Sequence, residues 1–162
     1  MAQNNNIYLQ HRFRGKVVHH DPMTNPEDGY VEGFYYEDLC LDKEGKPVIK
    51  GFIRSGEMIW EVIIETVDIQ TPCKDSDGRH IFSGDIVNVM FNDGSNANCL
   101  VGFDTSSLGW GLMEAHHYRL HKEGHFKEDS YNNTFLQNCL KADAAIRIIG
   151  NIHENENLLM DA

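Results

Sequence analysis

The sequence predicts a mainly β (α+β) protein with a helical segment late in the chain. Short runs rich in β-branched and aromatic residues, separated by turn signals, occupy most of its length. All four prolines lie within the first 72 residues, where they separate short strands. The stretch from about 113 to 144 has helical spacing instead. We therefore expect strands first, a helical insertion at 113–144, and a final return to the sheet.

Length and charge limit the possible functions. A chain of 162 residues with 41% hydrophobic residues fits one domain, 1–162, which needs neither disulfides nor metal to hold a core. The formal net charge is −11. Sequence-independent nucleic-acid binding and attraction to an anionic membrane both depend on basic residues, so neither is expected.

The expected location is cytoplasmic. The N-terminus has no basic region leading into an apolar run, and no apolar stretch approaches the roughly 20 residues of a membrane span. The four cysteines contain no Cys-x-x-Cys pair, and we expect them to be reduced and mostly buried.

The first half of the chain is predicted to form strands joined by turns and one long loop. The loop is expected at His19–Gly29, because it contains two prolines. Strands are expected at Ile7–Val18, Tyr30–Leu41, Val48–Arg54 and Met58–Val67.

The second half combines hairpins with helices. Asn92-Asp93-Gly94 is a strong hairpin signal, because glycine supplies the positive φ that such turns need. Gly109-Trp110-Gly111 is interpreted as a turn around a core indole. The strands are expected at Asp85–Phe91, Asn98–Phe103 and Ala145–Ile152, and Phe103–Leu112 is expected to begin another hairpin. The helices are expected at Met113–Lys122, Thr134–Ala144 and Glu154–Met160.

Three stretches together resemble one family. They are Phe13–Lys16 with Gly29–Tyr36, then Val67–Val87, and finally Ile148–Leu159. The most specific is a Lys-Asp-x-x-Gly turn followed by Ile-Phe-x-Gly-Asp-Ile-Val, and the terminal Ile-Gly-Asn-Ile-His-Glu-Asn is nearly as specific. In this order they resemble the YopX family of phage and prophage proteins.

The resemblance implies a compact SH3-type barrel or roll with additional strands and helices. Two departures are Pro72-Cys73, where the family usually has Gly-Leu, and Glu156-Asn157, where it usually has Pro-Glu. The second removes the usual proline at the start of the last helix. The family's biochemical function is uncharacterised, so the resemblance implies no catalytic residue.

The central motif is interpreted as structural. Asp75 and Asp77 are expected to accept backbone amides in a turn that Gly78 closes with a positive φ. Gly84 predicts a bend that Asp85 anchors. Gly150-Asn151 similarly predicts a bulge in which Asn151 bonds to local backbone.

The nine histidines raise the question of a metal. His117, His121 and His125 follow i, i+4, i+8 spacing beside Glu114 and His116, and two such histidines on a helix can bind Zn²⁺. Gly124 is expected to end the helix before His125. No His-Glu-x-x-His motif is present, so no metal or cofactor is expected.

Other chemistries have weak signals. Asp75–Gly78 resembles part of a calcium loop, but the ligand positions at its ends hold Cys73 and Gly84. Cys73 is interpreted as a small core residue rather than a nucleophile. The stretch His11–Lys16 places an aromatic residue among basic ones, as proteins that bind single-stranded nucleic acid do. Its three basic residues are few beside the formal net charge of −11.

The leading hypothesis is a non-enzymatic interaction or assembly module that binds a host or phage protein and self-associates. Phe34-Tyr35-Tyr36 alternates between strand faces, so one face can be core and the other a binding surface. An exposed aromatic patch is expected around Tyr35 or Trp110. Two alternatives stay open: an acidic decoy that blocks a host nucleic-acid-binding protein, and a metal-dependent hydrolase built on His117 and His121.

Overall fold

The protein forms two compact units, Met1–Ile69 and Gln70–Ala162, which we call the N-terminal and C-terminal units. The computed structural model describes residues 12–21, 28–125, 131–141 and 144–161. The single domain 1–162 expected from the sequence stays a prediction. The expectation of a mainly β protein is confirmed, since strands dominate both units.

The N-terminal unit is an antiparallel meander of four strands. The strands are β1 (Phe13–Lys16), β2 (Tyr30–Leu41), β3 (Pro47–Ser55) and β4 (Met58–Val62). Each pairs with the next along the chain, and the first residues of β5 (Asp68–Lys74) pair with β1. A single bridge between Val17 and Val62 joins the end of β1 to the end of β4. The predicted strand Ile7–Val18 is confirmed at Phe13–Lys16, whereas Arg12, Val17 and Val18 lie outside the strand. Residues 7–11 and loop residues 22–27 lie outside the described part.

The core of this unit is small. Its buried members are Val17, Val31, Ile53 and Val62, with Phe13, Tyr35, Trp60 and Val67 packed partly against them. All four central residues lie where the four strands run side by side. Residues farther along β2 and β3 have no share in it.

The predicted strand Met58–Val67 is wrong beyond Val62. A short 3-10 helix, Ile64–Thr66, follows instead. The Thr66 hydroxyl donates to the Ile63 carbonyl and accepts the Lys16 amide at 2.9 Å. This side chain fixes the turn against β1, and β-branched composition alone does not reveal such a tertiary contact.

The C-terminal unit contains a four-stranded antiparallel sheet in the order β10-β7-β8-β9. These strands are β7 (Asp85–Met90), β8 (Asn96–Asp104), β9 (Gly109–Glu114) and β10 (Ala145–Asn151). A short β6 (His80–Phe82) pairs with the later part of β5. The sheets of the described residues follow linear strand orders with no closed barrel, so the SH3-type barrel is not confirmed.

Both faces of this sheet are covered by helices. One core contains Val87, Val101 and Leu112 together with Leu136 and Cys139 of α2 (Asn133–Lys141). The other core contains Ile86, Leu100 and Met113. It is covered by Ala115 and Tyr118 of α1 (Ala115–Lys122) and by Leu159 of α3 (Asn157–Met160). The late helical insertion is thus confirmed and packs on the sheet.

Three local predictions in this unit need correction. The helix predicted from Met113 begins at Ala115, because Met113 and Glu114 still pair with Leu100 and Cys99 of β8. Gly109-Trp110-Gly111 is not a turn but the start of β9. The last helix begins at Asn157 rather than Glu154. The hairpin at Asn92–Gly94 is confirmed, with Gly94 at φ +83°.

Candidate functional site

The most unusual surface of the molecule is the far part of the hairpin formed by β2 and β3. The β1 pairing ends at Gly33 and the β4 pairing ends at Gly51. Between them, Glu37–Lys50 is a two-stranded ribbon that no other strand of the described residues joins. We call Glu37–Lys50 the hairpin arm. Isolated two-stranded hairpins are marginally stable in water, so an arm of this kind gains stability by packing on something else.

Apolar side chains lie on both faces of this hairpin. Leu39 pairs with Ile49 and Leu41 with Pro47 on the face that continues the core face. Leu39 and Leu41 are each 69% exposed, and Ile49 is 62% exposed. On the opposite face, at the base of the arm, Phe34 is 54% exposed, and Tyr36 stacks on Phe52 with ring centroids 5.4 Å apart. Exposed apolar side chains on neighbouring strands are typical of interaction sites when they form one patch, as the cross-strand neighbours Leu39 and Ile49 can.

The tip of the arm is a polar turn held by hydrogen bonds. The Asp42 carboxylate accepts the amides of Glu44 and Lys46, both at 2.8 Å, and Gly45 has φ +77°. At the base, Lys50 and Glu61 form an ion pair at 3.0 Å. The turn contacts lie within the hairpin, whereas the ion pair joins the base of the arm to β4.

The exposed aromatic surface lies beside the residues that the sequence suggested. Tyr35 is half-buried, packs on Phe13 at 5.7 Å between ring centroids, and donates its hydroxyl to Glu37. Burial and this hydrogen bond to a carboxylate raise the pKa of Tyr35 to about 12. Trp110 is half-buried at the edge of a core and packs edge-on against Phe103. The predicted patch is therefore formed by Phe34 and Tyr36, the neighbours of Tyr35.

The central motif is a structural brace, as predicted. The Asp75 carboxylate accepts the amides of Asp77 and Arg79 and the Arg79 guanidinium, and it faces the Ile148 amide of β10. Burial alone raises the pKa of Asp75, but these donors outweigh it and hold the pKa below its ordinary value. Asp77 differs from the prediction, since its carboxylate lies 3.6 Å from the Arg79 guanidinium. Gly78 has the expected positive φ of +81°.

The other predicted turns are also confirmed as structural. Asp85 is fully buried and accepts the Phe82 amide at 2.8 Å. A register shift lies between Ile148 and Gly150, where a bulge was predicted. The Asn151 side chain accepts two following amides, and the Asn155 side chain accepts the Asn151 amide at 3.1 Å. A Cβ on Gly150 would lie 2.6 Å from the Asn155 oxygen, which explains why glycine occurs at 150 in this motif.

The histidines do not assemble into a metal site within the described ranges. There, no group of three or more His, Cys, Asp or Glu side chains is placed to hold a metal ion. His116 and His117 are exposed neighbours with ring centroids 5.7 Å apart. Gly124, at φ +80°, follows the end of α1, so His125 lies outside the helix as expected.

The cysteines are free thiols. Burial raises the pKa of Cys73, and it raises that of Cys99 to about 12, which disfavours the thiolate that a nucleophile requires. Cys99 and Cys139 are buried as predicted, whereas Cys40 and Cys73 are only partly buried.

The basic stretch near the N-terminus serves the fold. Arg14 forms an ion pair with the buried Asp68 at 2.7 Å and lies over the Tyr30 ring. The Lys16 ammonium lies 6.0 Å from the centroid of the same ring. His11 lies outside the described residues. Because Arg14 is used in contacts within the fold, it gives little support to the binding of single-stranded nucleic acid.

Several acidic side chains are likewise engaged locally. The Asp104 carboxylate accepts the hydroxyls of Ser106 and Ser107 in the turn after β8. Hydrogen bonds from those two serines hold the pKa of Asp104 below its ordinary value. Turns fix the positions of carboxylates used in this way. They therefore give no support to the acidic-decoy hypothesis, which needs carboxylates aligned like the phosphates of DNA.

These observations define a class of protein with two β units. Helices cover the sheet of the C-terminal unit, and the N-terminal unit has an exposed hairpin. The family model described as YopX protein matches residues 13–160, nearly the whole chain. The chain belongs to the YopX family, which suggests a phage-type protein of uncharacterised function. Neither the curated proteins nor the solved structures contain a match. No helix in the described ranges is long and apolar enough to cross a membrane.

Proposed function

We propose that this protein is a non-enzymatic interaction or assembly module of a phage or prophage, and that the hairpin arm is its binding surface. The observation that carries the proposal is the arm's exposed apolar surface on a ribbon that no third strand of the described residues joins. Burying such side chains against a partner contributes about 25 cal/mol per Å² of apolar surface.

The architecture supports the same proposal. An active site requires several polar side chains that point toward one bound substrate. The polar side chains described above instead form hydrogen bonds within turns and ion pairs. We include in the proposal an SH3-type roll for the N-terminal unit, supported by the Val17–Val62 bridge, and action in the cytoplasm, supported by free cysteines.

A matched pair of variants tests the binding surface. In the arm variant, Leu39→Lys and Ile49→Glu place opposite charges on a cross-strand pair, which keeps the hairpin compatible with its own folding. In the control variant, Leu108→Lys and Met90→Glu make the same changes of charge at exposed apolar residues of the C-terminal unit.

Both variants and the wild-type protein are used as bait in nuclease-treated lysate of the phage-carrying host, with captured proteins quantified by mass spectrometry. We expect a protein that the wild type and the control variant retain and the arm variant loses. Equal capture by all three baits would contradict a role for the arm. Folding of each bait is checked by circular dichroism, which should be unchanged.

A further inference from the structure

We propose that the partner of the hairpin arm is the same arm of a second copy, paired antiparallel along β2 across a two-fold axis. This inference rests on the proposed function, because it names the partner of that surface. It follows from the two edges of the arm that no third strand of the described residues joins, from the charge of the hairpin, and from the register that the side chains allow.

The two edges of the arm are not equivalent. On β3, the edge without a third strand in the described part is Pro47–Lys50, which is short and begins with a proline that has no N–H to donate. Short edges that carry proline resist strand addition. On β2, the corresponding edge is Phe34–Leu41, eight residues without proline. Strand addition is therefore favoured along β2.

The charge of the hairpin favours a second copy over a strongly charged partner. Within Phe34–Arg54, the acidic residues Glu37, Asp38, Asp42 and Glu44 are balanced by Lys43, Lys46, Lys50 and Arg54. The formal charge of −11 is therefore carried entirely by the rest of the chain. Two copies of an acidic protein repel each other least where each is neutral, and a basic partner gains nothing from a neutral surface.

Like charges exclude some registers. Two-fold antiparallel pairing centred on Glu37 or Asp38 would place identical carboxylates directly opposite each other, which is destabilising. Centring on Leu39 places Leu39 opposite its own copy, Glu37 opposite Leu41, and Asp38 opposite Cys40. This register opposes no like charges.

The same register also brings the exposed aliphatic residues into contact with one another. Because Ile49 already pairs with Leu39, the two arms together form a row of four aliphatic side chains on one face: Ile49, Leu39, and the same two residues of the second copy. The result is a four-stranded sheet in which each β2 edge is paired. Three or more strands with an apolar face are what an independent sheet needs.

Sedimentation velocity of the purified protein, from low to high micromolar concentration, tests self-association. We expect a dimer for the wild type and for the Leu108→Lys/Met90→Glu control. The Leu39→Lys/Ile49→Glu arm variant should dissociate with a constant raised about 30-fold or more, the loss expected when a buried anchor is removed. A wild-type protein that is monomeric throughout, or an arm variant that dimerises equally, would overturn the proposal.

Cross-linking tests the register. Cys40 and its copy would be diagonal neighbours, about 7–8 Å apart, so a short bismaleimide should join two chains. Cys40→Ser should abolish this product. Moving the thiol across the hairpin with Cys40→Ser/Val48→Cys should not restore it, because three strand spacings and an offset of two residues would place the two positions 48 about 16 Å apart. Equal cross-linking from position 48 would overturn the register.

The failures of the two proposals differ. A monomeric protein whose arm variant still loses a captured protein would overturn the second copy as partner and leave the interaction module standing. A monomeric protein with no arm-dependent capture would overturn both.

Discussion

The two units use their sheets in opposite ways. In the C-terminal unit, α2 covers one face of the sheet and α1 with α3 covers the other. In the N-terminal unit, no helix of the described residues covers the far part of β2 and β3, and its apolar residues are exposed. Ten large apolar side chains are exposed among the described residues of the N-terminal unit, against five in the longer C-terminal unit. The C-terminal sheet therefore buries apolar residues of both faces within the unit, whereas the far part of the β2–β3 hairpin leaves its apolar residues exposed.

The largest expected difference is between one leucine from each unit. Leu112, 1% exposed in the C-terminal core, should cost about 3 kcal/mol of unfolding free energy when replaced by alanine, because the substitution leaves a cavity. Leu39→Ala should change it by less than about 0.5 kcal/mol, since the side chain is exposed. Urea denaturation at a concentration where the protein is monomeric measures both. Comparable losses would show that the arm is part of a monomer core.

The next largest effect concerns the brace at Asp75. Asp75→Asn should cost about 2 kcal/mol, because the amide cannot accept both the Arg79 guanidinium and the backbone donors. Asp77→Asn is the matched control and should change little, since its carboxylate is exposed. Denaturation of the two variants should separate them clearly, and an equal effect would argue against the brace.

Asp75 also predicts a pH dependence. Because its pKa is lower in the folded protein, its contribution to stability is complete above the ordinary aspartate pKa and is lost as pH falls through the folded pKa. The Asp75→Asn variant should therefore lose less stability between neutral and acidic pH than the wild type. Parallel stability curves for the two proteins would contradict this assignment.

A smaller effect is expected at the bulge of β10. Gly150→Ala should cost about 1.5 kcal/mol, because the new methyl would collide with Asn155. Asn155→Gly removes every Asn155 side-chain atom in this contact, including the Cβ that would lie 2.8 Å away, together with one hydrogen bond to Asn151. The double variant should be no less stable than Asn155→Gly alone. Additive losses would mean that Gly150 is needed for another reason.

The smallest effect is expected where α1 meets α3. Tyr118 donates to Glu156, which also pairs with Lys122 at 2.9 Å, and these contacts lower the pKa of Glu156. Tyr118→Phe should cost about 0.5 to 1 kcal/mol, because Glu156 keeps its contact with Lys122. Lys122→Gln is the control for the exposed ion pair and should cost less. Thermal unfolding of both variants measures the difference.

Local turn chemistry was predictable from the sequence. Asp75, Gly78, Gly94 and Asn151 each act through groups within a few residues, so their spacing is sufficient to reveal the turns. The boundaries at Val62 and Ala115 were missed because they depend on pairing with distant strands. Strands β5 and β6 carry weak signals, since one contains a proline and the other has three residues.

The candidate surface was only partly predictable. The alternation along Phe34–Tyr36 correctly predicted that these side chains lie on two faces of the strand. It did not reveal which side chains are exposed. That depends on where the pairing with β1 and β4 stops, opposite Gly33 and Gly51, and so on contacts between strands that are distant in the sequence. For the same reason, the exposure of Leu39 and Ile49 follows from topology and not from their own residue types.

The central claim is that the arm is a binding surface, whereas the C-terminal sheet is complete by itself. Hydrogen–deuterium exchange of the full chain, across a concentration series and with any captured partner, tests it most directly. We predict that amides of Glu37–Leu41 exchange rapidly in dilute protein and become protected on association, while amides of β8 stay protected throughout. Arm amides that exchange at one rate under all these conditions would contradict the account.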